Sequence, residues 1–275
     1  MTTAVTLLLP PALTIVLAFA LHVFAKERAQ RVGLLPVALS ILGCWAFIVR
    51  PGWVPVDDVR RVVHIAVGAA LLGLALDAVK PHRIITAILV AGFLVGSAFA
   101  SVTGVVVPEG PISLADGLMT GALAATAFLV LARFDAMRER SLSLTVLLTV
   151  VTLGLTALAV IAGDETLRGL ALVLATALAG YLLFVALTGA PAGDGLVLIS
   201  GAPMLAIVWA LAQKYPDMRL ALICLPLVLF AEATALRVPL PAARISALLY
   251  PLILAGLVSL PLALAALIAF VTSGT

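Results

Sequence analysis

Few residues in this 275-residue chain have the means to do chemistry, and the most telling are two carboxylates inside apolar runs, Glu232 and Asp77. An ionisable side chain at the centre of a membrane helix costs about 2.5 to 3.5 kcal/mol, so those that persist mark ion or substrate pathways more often than chance. Glu232 stands five residues before Arg237, about 7.5 Å along a helix, below the interface and short of the midplane. Asp77 stands three residues before Lys80, a spacing that allows an ion pair on one helical face. Each has two readings: a group that binds a proton, cation or polar substrate, or one half of a structural pair. For Glu232 the nearest basic partners in sequence are Arg237 and Arg244.

The run Ser200-Gly201-Ala202-Pro203 is the next candidate. Proline removes a helix hydrogen bond, the glycine loosens the same turn, and the serine hydroxyl can satisfy opened backbone. The combination predicts either a locally unwound helix of the kind transporters use near the midplane, or a simple kink.

Other constellations fail on their spacing. Asp57 and Asp58 close the polar stretch Arg50 to Asp58 and resemble a Mg²⁺-binding pair, but such sites draw further acids from neighbouring loops and no second aspartate-rich motif exists. One aspartate capping the third span, with Arg60 and Arg61 beside it, accounts for the same residues. His22, His64 and His82 fall at a span end, at the opposite mouth and in a loop, whereas axial haem ligands must face one another across a cavity. Cys44 and Cys224 lie within spans, without metal-ligand spacing. There is no nucleophile motif, glycine-rich phosphate loop or His-Glu-x-x-His pattern. No catalytic, cofactor-binding or metal-binding residue is therefore assigned, and an enzyme is the least expected class.

The elements that must position these residues are membrane spans. The chain is 64% hydrophobic and 11% charged, with mean hydropathy +1.29. A crossing helix needs about 20 apolar residues. Candidate spans are Ala4 to Phe24, Gly33 to Val49, Val62 to Val79, Ile84 to Val107, Gly117 to Leu131, Leu142 to Ala162, Gly169 to Thr188, Leu196 to Ala212, Leu220 to Leu236 and Ile245 to Val271. The fifth is short and Pro10-Pro11 interrupts the first, so eight or nine complete crossings are also consistent. Strict alternation is missing, which argues against a β-barrel. The expected fold is all-α, a polytopic transmembrane helix bundle of about ten spans with short loops, residues 1–275 forming a single integral membrane domain. Ala18-Phe19-Ala20 resembles a signal cleavage site, but the first basic residue, Lys26, follows the apolar run instead of leading it.

Loops after odd-numbered spans carry Lys26, Arg28, Arg31, Lys80, Arg83, Arg133, Arg138, Arg140, Arg237 and Arg244; those after even-numbered spans carry Arg50, Arg60, Arg61, Arg168, Lys214 and Arg219. Basic residues gather on the cytoplasmic side, so this ten-to-six split predicts both termini outside a bacterial inner (plasma) membrane. Trp45, Trp53 and Trp209 then fall near the outer interface. The net charge of +3 is dispersed, which makes nucleic acid an improbable partner. Small residues repeat every fourth position at Gly92, Gly96, Ala100 and Gly104, at Gly117, Gly121 and Ala125, and at Ala171, Ala175 and Ala179, predicting close helix crossings with Leu94 turned to lipid.

In size and span count the plan is similar to that of ten-helix drug and metabolite transporters, with no shared motif. The leading expectation is a transporter or channel for a small, weakly polar substrate, with Ser200, Gly201 and Pro203 near the midplane and Glu232 and Asp77 in an inner vestibule. The alternative is a non-catalytic accessory or scaffold subunit of a larger membrane complex; a membrane-embedded lipid-processing enzyme ranks below both. The expected partners are the lipid bilayer and other membrane proteins or further copies of the chain. A polar cavity near mid-membrane favours transport, a solid interior with an outward apolar groove matching a partner favours the subunit, and the absence of a cavity at Ser200 to Pro203 removes the transport expectation in this form.

Overall fold

The structure, a computed structural model, describes residues 3–25, 33–49, 57–103, 113–137, 140–191, 195–238 and 244–273. The described residues hold no strand. They form α1 (Thr3–Ala25), α2 (Leu35–Val49), α3 (Asp58–Val79), α4 (Arg83–Thr103), α5 (Leu114–Asp135), α6 (Ser141–Ile161), α7 (Glu165–Thr188) and α8 (Leu196–Lys214). A ninth segment, Pro216–Ala235, mixes 3-10 turns with the short helices α9 (Arg219–Ile223) and α10 (Ala231–Ala235), and α11 (Arg244–Ser273) closes the order. Nine of these segments are long and apolar enough to cross a membrane, and α2 is a shorter apolar helix of 15 residues. The bundle of about ten spans therefore stands.

Lipid-spanning helices must satisfy their own polar groups, and α6 shows how. The hydroxyls of Thr145, Thr149, Thr152 and Thr156 donate to the carbonyls of Ser141, Thr145, Leu148 and Thr152, at 2.7 to 2.9 Å. These threonines need no partner helix and carry no site.

At the centre lies α8, apolar all round and buried along most of its length, the pattern of a core helix. It crosses α3 where Gly73 meets Gly195: a Cβ on Gly195 would strike the carbonyl of Gly73. Two further crossings use glycine. A Cβ at Gly180 of α7 would come within 2.8 Å of the Pro11 backbone in α1, and one at Gly154 of α6 within 2.6 Å of Leu262 in α11. Pro10 and Pro11 do not break α1, whose Pro10 carbonyl accepts the Ser40 hydroxyl at 2.8 Å.

The structure corrects three expectations. The Gly92, Gly96, Gly117 and Gly121 ladder is not the contact between α4 and α5: all four are exposed with open space about them. The buried face of α4 is instead Leu94, Ser97, Ala98 and Ser101, so Leu94 is a core residue and not a lipid-facing one. In α7, Ala171 and Ala175 are buried and Ala179 is exposed. Spacing by four fixes a stripe but not which way it turns. Next, Trp45 and Trp209 are buried within the bundle, where the Trp45 indole N–H donates to the Leu170 carbonyl at 3.0 Å. They mark no interface; Trp53 lies outside the described residues. Lastly, α8 runs as α-helix through Ser200 to Pro203, with the Ser200 hydroxyl donating to the Leu196 carbonyl at 2.6 Å. The irregular backbone is in the ninth segment, where 3-10 geometry extends over Leu225–Phe230 around Pro226, longer than such turns usually run.

Candidate functional site

The polar residues gather at the two ends of the bundle. One end carries Asp57, Arg61, Ser101, Asp164 and Lys214; the other carries Lys80, Arg83, Asp135, Arg140 and Glu232.

At the first end each residue just named is engaged, although the Nε of Arg61 is buried without a hydrogen-bond partner among the described residues. Asp57 caps α3, accepting from the Arg60 amide at 2.7 Å, and Asp58 pairs with Arg61 at 2.9 Å, so the adjacent aspartates act as the local capping reading expects. Residues 50–56 of that stretch lie outside the described residues. The last four carbonyls of a helix have no intrahelical donor, and two of those of α4 are met from neighbouring helices. Gln213 of α8 donates to Ser101 O at 2.7 Å, and Arg61 of α3 reaches Ser101 O at 3.3 Å and Ala100 O at 3.5 Å. This clasp closes α4 onto α3 and α8.

Beside it, the buried Asp164 caps α7 through the Thr166 and Leu167 amides and accepts from Lys214 Nζ at 2.6 Å and Tyr215 Oη at 3.2 Å. Burial alone would raise its carboxyl pKa. The Lys214 and Leu167 hydrogen bonds outweigh that and hold it below the usual carboxylate range.

At the second end α4 stands off. A cavity of about 630 Å³ opens between α3, α4, α5 and α8. Leu76, Val90, Phe128, Leu131, Val197 and Leu198 form its apolar walls, and Lys80, Arg83, Thr86 and Asp135 its polar rim. From Arg83 to Val90 it extends about 10 Å along α4. Lys80 ends α3 in the left-handed region, φ 49°, and is the single non-glycine residue with positive φ among those described. Neither Lys80 nor Arg83 forms an ion pair with another described residue, whereas Asp135 has a partner.

The residues singled out from sequence fall around this cavity unequally. Ser200, Gly201 and Pro203 are buried one turn beyond its wall residues Val197 and Leu198, and Leu131 packs against Gly201, so no cavity opens at that run among the described residues. Asp77 follows the wall residue Leu76, is 1% exposed and is itself partnered. Glu232 is buried and held by Arg140 at 2.9 Å and Arg133 at 3.8 Å, a clamp that ties α10 to α5 and to the start of α6. Among the described residues its partners are these arginines, far away in sequence, and not Arg237; the Arg244 side chain lies outside them. Lys80, Arg83 and Asp135 as cavity residues were missed. Their sequence signal, charges next to span ends, is shared with most membrane helices.

His22 stacks edge-on against Phe184 with centroids 5.8 Å apart, and the described residues hold no cluster of three or more His, Cys, Asp or Glu able to bind a metal. No protein-family model matches the chain, and no curated protein matches it.

Proposed function

We propose that this membrane protein is a carrier for a small solute, admitted through the cavity between α3, α4, α5 and α8. The observation that supports this is the contrast along α4. One end is clasped to α3 and α8 by Arg61 and Gln213, and the other stands off around a cavity that stops at the wall formed by Val197, Leu198 and Leu131. A carrier halted with one gate shut and the other open has this shape. No cavity opens at Ser200 to Pro203 among the described residues, which counts against transport in the form expected from sequence; in the carrier proposed here those residues are instead the seal beyond the cavity, Asp77 stands behind its wall, and Glu232 holds the surrounding helices in place. The ten-to-six distribution of basic residues makes the open end cytoplasmic, with both termini outside.

Alternating access can be tested without knowing the substrate. In a Cys44→Ser/Cys224→Ser background, Ser200→Cys is expected to react with an impermeant thiol reagent applied from either face, because a carrier exposes its seal to each side in turn. Reaction from one face alone, or from neither, removes the carrier reading.

A scaffold subunit is the second reading, favoured by the outward-facing Gly92, Gly96, Gly117 and Gly121, which leave room for another helix. Stoichiometric co-purification of a different membrane protein in mild detergent would support it over the carrier.

A further inference from the structure

The cavity's chemistry narrows what it can hold. Its walls are apolar, while among the described residues its rim presents two cations, Lys80 and Arg83, against one carboxylate, Asp135, that already has a partner. No acidic residue stands in the first turn of α4 to offset Arg83. Two cations with no ion-pair partner among the described residues, at the mouth of an apolar cleft, are poorly matched to a neutral or cationic solute and well matched to an anion. The residue at the rim adds to this. The left-handed region is disfavoured for any residue but glycine, and at the end of α3 that position is filled by Lys80, a residue that lines the cavity. Depth matters too, because the cleft runs past the rim to Val90 and Phe128, leaving an apolar channel that a bare anion would not fill.

We infer that the cavity binds a single-chain anionic amphiphile, with its phosphate or carboxylate on Lys80 and Arg83 and its hydrocarbon chain along Val90, Phe128, Leu131 and Leu198. This rests on the carrier reading only for what happens after binding. A charge-assisted hydrogen bond contributes about 1.5 to 3 kcal/mol, so losing either cation should weaken binding about tenfold or more.

The test uses the full chain in phosphatidylcholine nanodiscs, with radiolabelled decyl phosphate as the probe and empty nanodiscs subtracted. Saturable binding near one per chain is expected, displaced by unlabelled decyl phosphate but not by decyl trimethylammonium or inorganic phosphate. Lys80→Gln and Arg83→Gln should each weaken it about tenfold. Lys80→Arg and Arg83→Lys should restore most of it, and Val90→Trp should block it by filling the cleft. Equal displacement by inorganic phosphate would show a site for the head alone and overturn the inference. So would equal displacement by decyl trimethylammonium, wild-type affinity in both glutamine variants, or no saturable binding. Failure here with Ser200→Cys labelled from both faces rejects the ligand class and keeps the carrier; binding with Ser200→Cys unlabelled does the reverse.

Discussion

The two ends of α4 are built from similar side chains and do opposite things. At the Ser101 end, Arg61 and Gln213 are spent on the open carbonyls of the helix terminus, and Asp58 balances the guanidinium. At the Arg83 end neither Lys80 nor Arg83 forms an ion pair among the described residues, and a cavity opens between the helix, α3 and α8. A helix terminus whose orphan backbone groups are met by a neighbour is drawn onto that neighbour; one without such partners is free to leave a gap. The difference lies in what each charge faces, not in how many charges there are.

The largest effect should come from the packed half of α4. Leu94→Ala is expected to cost about 2 to 5 kcal/mol, because Leu94 is 1% exposed and its removal leaves a hole. Gly96→Leu, on the open flank two residues on, should stay within about 0.5 kcal/mol. Unfolding of the purified variants in mixed micelles measures both, and a costlier Gly96→Leu would mean that α4 is turned the other way.

Next in size is the contrast between the ends themselves. Arg61→Gln leaves Asp58 and the Ala100 carbonyl without their donor, while Ser101 O keeps Gln213, and should lower stability by about 1 to 3 kcal/mol. Lys80→Gln and Arg83→Gln break no ion pair and should change it by less than about 0.5 kcal/mol. Equal losses at the two ends, read from melting of the same preparations, would erase the distinction.

The smallest effect is conditional on pH. Asp164→Asn keeps a capping oxygen for α7 but loses the charge that Lys214 neutralises. Because the folded carboxyl titrates below its ordinary value, the ionised form contributes stability above the unfolded pKa of about 3.9, and that contribution is lost as pH falls through the lower folded value. Wild type should therefore melt above Asp164→Asn at neutral pH, with the gap closing below about pH 4. A gap that persists in acid would assign the effect to packing.

What was legible in the sequence was whatever depends on local pattern. Span positions follow from hydropathy, and the Asp57 cap with its arginines follows from spacing within one turn. That Glu232 is a buried charge in need of a partner is legible from its place in an apolar run, but the partner is not, because Arg140 lies 92 residues away and pairing across the bundle leaves no local trace. The glycine ladders gave a period without a direction, so the close approaches at Gly73, Gly180 and Gly195 went unread while Gly92 and Gly96 were overvalued. Proline alone did not locate the irregular span. Pro203 sits in α8, buried on all sides and regular, whereas Pro226 lies in the segment that loosens into 3-10 turns. The cavity was beyond reach for a simpler reason: it exists where side chains fail to meet, and no residue encodes a gap.

The length of α11 has a consequence for the membrane itself. Its 30 residues rise about 45 Å, well over the ~30 Å of a typical hydrocarbon core. A helix that overreaches the core must tilt, carry an end out among the headgroups, or thicken the lipid beside it. Leu252, Leu260, Leu267 and Phe270 are exposed along its flank, so the apolar face that would meet acyl chains is itself long. A bilayer of longer-chain lipids should therefore suit α11 with less tilt than a thin one.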